Sequence, residues 1–155
     1  MDNKFKICYK DDFDYSNIEG DPGATIYVLI NGGYAFPDNE WFDLPLSVMD
    51  MWGWNITENY KLKNAEFTLC FMDGPFYIKC QRNGDELKMQ CINNRKDDEL
   101  IESECIYSFK ALTCQIYEVA SELLECFNSK GLSGHEMLKR FKKKVKKVGK
   151  IKNKL

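Results

Sequence analysis

The stretch INGGYAFPDNEWFDLPLSVMDMWGW, residues 30–54, contains the signals that set the order of strands and helices in this chain. The residues before it, 24–30, are β-branched and aromatic and predict a central strand. Asn31-Gly32-Gly33 then supplies the positive φ angles of a tight turn. Residues 34–36 start back along the strand, and Pro37 ends the pairing because it has no N–H to donate. The sequence therefore predicts a short hairpin arm.

The second half of the same stretch predicts a helix that packs on the sheet. Asp43 can cap this helix, and a proline fits its first turn, where a missing N–H does no harm. Five apolar residues recur at three- and four-residue steps on one face, namely Pro45, Val48, Met49, Trp52 and Ile56. We expect that face to be buried, with Trp41 and Trp52 holding the helix against the sheet.

The rest of the chain alternates between strand-like and helix-like patterns. Further strands are predicted at residues 5–10, 66–72, 76–82 and 87–93. The charged segment 94–104 predicts a loop with a helix start near its end, and an apolar stripe predicts a long core helix over 105–128. Ser133 and Glu136 have the spacing of a capping box for a last helix. The expected fold class is α+β, an antiparallel sheet of about five strands with two to three helices packed on it.

Length and composition favour a single domain. The chain has 155 residues, of which 44% are hydrophobic, enough to build one core. We expect residues 1–132 to form this α+β domain and residues 133–155 to append a basic helix and tail. No window approaches the roughly 20 apolar residues of a membrane span, and the polar N-terminus does not have the pattern of a signal peptide. The expected location is the cytoplasm.

The chain lacks the residue patterns of common catalytic and metal sites. Its seven cysteines include no C-x-x-C pair, and His135 is the only histidine. Neither a histidine-rich metal site nor a histidine-dependent triad can be assembled from this set. No phosphate-binding glycine loop occurs either. We therefore expect no enzyme, no metal and no cofactor, while a carboxylate pair such as Glu40 and Asp43 stays open as an alternative.

The formal net charge of −2 hides a strong asymmetry. All 24 acidic residues and 12 of the 22 basic residues lie in residues 1–138, which therefore carry −12, whereas residues 139–155 hold ten basic residues and no acid. The acidic body favours a basic partner and repels nucleic acid. Its acidic loops are the candidate partner-binding sites, and their residues are Asp11, Asp12, Asp14, Asp97, Asp98 and Glu99.

The opening stretch also resembles a pattern of small bacterial immunity proteins, which are encoded beside polymorphic or contact-dependent toxins. In that family a line such as I-N-G-x-x-F-P-x-x-x-W-x-D precedes an apolar helix with one or two tryptophans near its end. The match covers residues 26–56 and includes Asn31-Gly32, Phe36-Pro37, Trp41, Asp43 and Trp52. It differs by the extra glycine in the turn, by Pro45 early in the helix and by the glycine between the last two tryptophans.

The resemblance implies a cytosolic protein that binds and neutralises one toxin domain, without catalysis or a cofactor. The acidic body suits fast, electrostatically steered capture of a basic toxin such as a nuclease. The alternative function is a non-catalytic adaptor or membrane-associated module that uses the basic segment 139–155. We expect no contact with nucleic acid, whose phosphates the acidic body repels. Packing of the basic helix on the body through Met137, Phe141 and Val145 is favoured over contact with a membrane.

Overall fold

Within residues 4–18 and 20–155, which the computed structural model describes, the chain forms eight strands and three helices and has the expected α+β class. The elements are β1 (Phe5–Tyr9), β2 (Ala24–Ile30), β3 (Tyr34–Phe36), β4 (Phe42–Asp43), α1 (Pro45–Asn59), β5 (Asn64–Cys70), β6 (Phe76–Asn83), β7 (Glu86–Asn93), β8 (Leu100–Ser108), α2 (Phe109–Ser129) and α3 (Glu136–Lys152).

The described strands form two antiparallel sheets of four strands, where the sequence predicts one sheet of about five. In the first sheet β2 is central, because β1 pairs with one of its edges while β3 and β4 pair with successive parts of the other. The hairpin arm of β2 and β3 is the one expected from the Asn31-Gly32-Gly33 turn. The second sheet is a meander in the order β5-β6-β7-β8.

Helix α1 follows the first sheet in the chain, and it covers the free edge of the second. Its buried side includes all five residues of the predicted apolar face. The indole N–H of Trp52 donates to the carbonyl of Cys70 at 2.8 Å, and the Asn55 side-chain amide donates to the carbonyl of Thr68 at 3.1 Å. Because β5 is an edge strand, these bonds satisfy carbonyls that no neighbouring strand reaches.

Helix α2 covers the free edge of the first sheet in the same way. The side chain of Gln115 accepts a hydrogen bond from the backbone N–H of Ile7 at 2.9 Å and donates one to the carbonyl of Phe5 at 2.7 Å. A single amide thus pairs with the edge of β1 as another strand would. The same amide also donates to the hydroxyl of Tyr107 in β8, at 2.6 Å.

Helix α3 packs on α1 and α2 through its own apolar side. The buried α3 residues are Leu138, Phe141, Val145, Val148 and Ile151. Gly53 allows the close approach of α1, because an added Cβ there would lie 3.2 Å from a methyl carbon of Val148. Over residues 4–18 and 20–155, no helix combines the length and the apolar character that crossing a membrane requires.

Arg82 of β6 contacts both the C-terminal end of α1 and the first residue of α2. The Nη1 atom of Arg82 donates to the carbonyls of Asn59 at 2.8 Å and Tyr60 at 3.1 Å, where α1 ends. Its guanidinium lies 3.7 Å from the ring centroid of Phe109, the first residue of α2. Burial lowers the pKa of Arg82 from its ordinary value. The charge is stabilised by these carbonyls and by the ring face.

The segment from 94 to 108 differs from its predicted structure. Leu100–Ser108 is strand β8, so the predicted loop over 94–104 is wrong in its second half, and the helix predicted from 105 starts at Phe109 instead. Cys105 and Tyr107 are buried while Ile106 between them is 44% exposed, which is the alternation of a strand. Ser108 then caps α2 by accepting from the N–H of Ala111 at 3.0 Å.

Two predicted helix caps are also wrong. Asp43 is buried and does not cap α1, because its carboxylate accepts from the Trp41 indole at 2.9 Å and from the N–H groups of Leu44 and Asp73 at 2.7 Å and 3.2 Å. It joins β4 to the turn between β5 and β6. At α3 the cap is His135, whose Nδ1 accepts from the N–H of Met137, so Ser133 does not have that role.

The two tryptophans of α1 test whether its buried face holds the fold together. Trp52 is fully buried and packs edge-on against Phe71, with 5.5 Å between ring centroids, whereas Trp54 is 46% exposed. We predict that Trp52→Ala lowers the free energy of unfolding by about 3–5 kcal/mol. Trp54→Ala, the matched control, should change it by less than about 0.5 kcal/mol. Urea titration measures both, and equal losses would contradict the assignment of Trp52 to the core.

Candidate protein-binding site

The first predicted acidic loop, between β1 and β2, is held in place by one of its own carboxylates. Asp12 accepts from the backbone N–H of Thr25 at 2.8 Å and from its hydroxyl at 2.7 Å. Burial raises the pKa of Asp12, but the hydrogen bonds from Thr25 outweigh this effect and lower it below its ordinary value. Asp12 therefore positions the loop and is already engaged.

Aromatic rings attach the same loop to the end of α2. Phe13 is buried and packs edge-on against Phe127, with 4.7 Å between the ring centroids. Tyr15 packs against the same ring at 5.3 Å. These contacts hold the loop that carries Asp11 beside the end of α2.

Tyrosine hydroxyls then bind carboxylates of the loop and of α2. Tyr15 donates to Asp11, and Tyr9 donates to Glu122 at 2.9 Å. The Cys126 thiol is close enough to both carboxylates that, after burial, the charges of Asp11 and Glu122 raise its pKa. Asp11 and Glu122 are 111 positions apart in the chain and share one small region of surface.

We call this region the acidic face. It consists of Asp11 in the loop, the exposed residues Glu118, Glu122 and Glu125 of α2, and the half-buried Tyr9 and Tyr15. Asp14 is not counted in it, because its carboxylate accepts from the hydroxyl of Ser16 at 2.6 Å and from the N–H of Ser16 at 3.1 Å within the loop. A shallow groove of about 340 Å³ lies beside it between β1 and α2, and its lining includes Lys6, Tyr9, Gln115, Glu118 and Glu122. The face thus combines a concave part with carboxylates at its rim.

The carboxylates of the acidic face have no cationic partners in the part of the chain that the structure describes. The ion pairs found there within 4.0 Å are Lys10 with Glu40 and Lys79 with Glu99, and neither belongs to this face. Lys130 approaches its margin, 5.2 Å from the centroid of the Tyr15 ring. The negative charge of the face is therefore open to a partner.

The second predicted loop is exposed but lies elsewhere. Asp97, Asp98 and Glu99 connect β7 to β8, and Glu99 folds over the outer side of the second sheet. It accepts from the Tyr77 hydroxyl at 2.7 Å and from Lys79 at 3.0 Å, and these bonds lower the pKa of Glu99 below its ordinary value. Among the described residues no hydrogen bond or ion pair joins this loop to the acidic face.

The other candidate residues do not come together in a catalytic or metal-binding site within the described part of the chain. Glu40 pairs with Lys10, while Asp43 is bound to Trp41 and two backbone N–H groups, so the two carboxylates have separate partners. Searching residues 4–18 and 20–155 for three or more His, Cys, Asp or Glu side chains placed to hold a metal ion yields none.

Comparison with known proteins adds no relative to this picture. No protein family model matches the chain, and neither a curated protein nor a solved structure is significantly similar to it.

The glutamates of α2 are the part of the site that sequence reasoning missed. Their signal was present, since Glu118, Glu122 and Glu125 recur at three- and four-residue steps on the polar side of a predicted helix. The spacing of these glutamates does not show that the loop between β1 and β2 lies beside them. That position depends on Phe13 packing against Phe127, which is far away in the sequence.

The role of Asp12 gives a prediction about stability. Asp12→Ala leaves the buried N–H of Thr25 without its acceptor, so we expect a loss of about 1–3 kcal/mol in the free energy of unfolding at pH 7. Asp98→Ala, which removes an equally exposed charge, should cost less than about 0.5 kcal/mol.

The cost of Asp12→Ala should also depend on pH. Because the pKa of Asp12 is lowered in the folded protein, its contribution is complete above its ordinary pKa of about 3.9 and is lost as the pH falls through the folded value. Urea titrations from pH 7 to pH 3 measure this difference. A cost that grew in acid would contradict the assignment.

Proposed function

We propose that this chain is an immunity protein that acts in the cytoplasm by binding a basic toxin domain on the acidic face. The observation that carries the proposal is the convergence of Asp11 and Glu122 on one surface that has no cationic partner among the described residues. The resemblance of residues 26–56 to immunity proteins supports the same function. The residues that carry this resemblance include Trp52 of the core, whereas the acidic face is the candidate surface for the partner.

The chemistry of the acidic face suits a partner rich in lysine or arginine. Carboxylates on the rim attract such a partner over several ångströms and raise the rate of encounter, an effect that weakens with salt. Tyr9 and Tyr15 offer half-buried rings of the kind enriched at the centres of protein interfaces. Their hydroxyls already hold Glu122 and Asp11, so these carboxylates are positioned before the partner arrives.

Binding alone is sufficient for immunity in this proposal. An immunity protein that covers the active surface of a toxin, or fixes it in an inactive state, needs no catalytic group of its own. The charge distribution favours a toxin whose own active surface is basic, as the surface of a nuclease must be to hold phosphate groups.

The test uses the toxin domain encoded beside this protein and two sets of charge-neutralising variants. The first set, Asp11→Asn, Glu122→Gln and Glu125→Gln, removes three charges from the acidic face. The control set, Asp97→Asn, Asp98→Asn and Glu86→Gln, removes three exposed charges from the second sheet and its loop. Both triple variants therefore have the same net charge.

We predict that the first triple variant lowers the association rate constant at least tenfold at about 50 mM salt, whereas the control lowers it less than about threefold. Stopped-flow fluorescence or surface plasmon resonance measures the rate, and survival of cells that express the toxin measures immunity. Failure of the native protein to bind at micromolar concentration would reject the function. A larger loss in the control set would assign the partner to the loop at Asp97–Glu99.

The alternative, an adaptor or membrane-associated module that works through residues 139–155, needs a different test. Deleting that segment would remove Phe141, Val145 and Val148 from the core and would unfold the protein. Reversing exposed charges such as Lys143 and Lys147 leaves the core intact. Full protection against the toxin by such a variant would argue against the alternative.

A further inference from the structure

Helix α3 presents a row of lysines to solvent because its apolar side is fully used. The buried side packs on α1 and α2, and the exposed side includes Lys139, Lys142, Lys143, Lys146, Lys147 and Lys150. Within residues 4–18 and 20–155 none of these ammonium groups lies within 4.0 Å of a carboxylate. This lysine row is not part of the proposed toxin-binding site.

The glutamates of α2 form a second row beside the lysine row. A six-residue connection, 130–135, joins α2 to α3, so the two helices run antiparallel as neighbours. They meet at Tyr117 and Gly149, where an added Cβ on the glycine would lie 2.6 Å from the tyrosine ring. Lys152 lies over the same ring at 4.5 Å.

Helical geometry places both rows on the solvent side of this contact. At about 100° per residue, Glu118 and Glu125 lie about 100° and about 80° around α2 from Tyr117. On α3, Lys142 and Lys146 lie about 20° and about 60° around the helix from Gly149, again rotated toward its solvent-exposed side. All four side chains are exposed. An acidic row and a basic row therefore run side by side along one face of the molecule.

We propose that this two-row face is the interface of a homodimer. A two-fold axis parallel to the helices and midway between them lays α2 of each subunit over α3 of the other. Each acidic row then meets a basic row, twice in the dimer, which is the self-complementarity that a two-fold interface requires. A second copy of this chain is therefore a partner whose charged rows match those of this face.

The two-row face is small for a stable protein–protein interface. With 1.5 Å of rise per residue and helices about 10 Å apart, two helices of this length offer about 500 Å² per subunit, below the roughly 800 Å² of a standard interface. We therefore expect dissociation constants in the range of tens of micromolar, and strong weakening by salt. The protein would be monomeric when dilute.

The dimer interface overlaps the proposed toxin-binding site. It covers Glu118 and Glu125, which belong to the acidic face, so a basic toxin and a second subunit would compete. Self-association is measured on the chain alone, without any toxin. A failure of the dimer therefore leaves the immunity proposal standing, and the reverse also holds.

The test is a charge swap followed by sedimentation equilibrium. The native protein at about 200 μM should approach twice its mass of 18.1 kDa in about 50 mM salt and return to the monomer in about 500 mM salt. Changing Lys139, Lys142, Lys146 and Lys150 to Glu leaves two lysines and four glutamates in the lysine row, so that both rows are acidic, and the pair Glu118→Lys with Glu125→Lys makes both rows basic. Each of these variants alone should be monomeric at low salt.

Mixing the two variants gives the decisive result, because an acidic face and a basic face are complementary again. We expect the mixture to recover the dimer mass, which also shows that both variants are folded. A monomeric native protein at about 200 μM and low salt overturns the proposal, and so does a mixture that stays monomeric. Assemblies larger than two would overturn the two-fold arrangement. Binding of the lysine row to anionic vesicles or duplex DNA, with no self-association, would assign that row to another partner.

Discussion

Free strand edges need hydrogen-bond partners, and meeting this requirement fixes where the helices of this protein lie. On the second sheet, Trp52 and Asn55 of α1 donate to carbonyls of the edge strand β5. On the first sheet, Gln115 of α2 pairs with both a donor and an acceptor of β1. An orphaned backbone group in either place would cost about 1–3 kcal/mol. The two helices are therefore attached to the sheets by directed bonds as well as by apolar packing.

The charged surface follows from this arrangement. Once α1 and α2 lie on the sheet edges, the apolar side of α3 completes the core, and its lysines can only face solvent. The same packing turns Glu118, Glu122 and Glu125 outward on α2, where the loop carrying Asp11 joins them. Acidic and basic residues that are separated in the sequence become separate rows on one surface. The proposed toxin-binding site and the proposed dimer interface both depend on that separation.

Local patterns predicted the parts of the fold that depend on nearby residues. The strand at 24–30, the turn after it and the buried face around Trp52 are all set by propensity and spacing within a few positions, and all are confirmed. Strand β8 was missed because its charged first half pairs with β7 only in the folded sheet. Asp43 was assigned to a cap because its bonds to Trp41 and to the N–H of Asp73 depend on contacts between distant elements.

The candidate site, like the fold, was predicted from the sequence only where local residues determine it. Composition located acidic loops, and one of the residues it named, Asp11, lies on the acidic face. It did not separate Asp11 from Asp12 and Asp14, whose carboxylates are engaged by Thr25 and Ser16, nor add the glutamates of α2. Which carboxylates remain open to a partner depends on long-range contacts that no window of sequence contains.

Native-state hydrogen exchange of two N–H groups shows whether side chains of α1 and α2 hold the edges of the two sheets. The groups are the indole N–H of Trp52 and the backbone N–H of Ile7. We expect both to exchange only through global unfolding, with free energies of exchange equal to the free energy of unfolding from urea titration. Exchange of either group through a local opening several kcal/mol below that value would mean that the helices do not hold these edges.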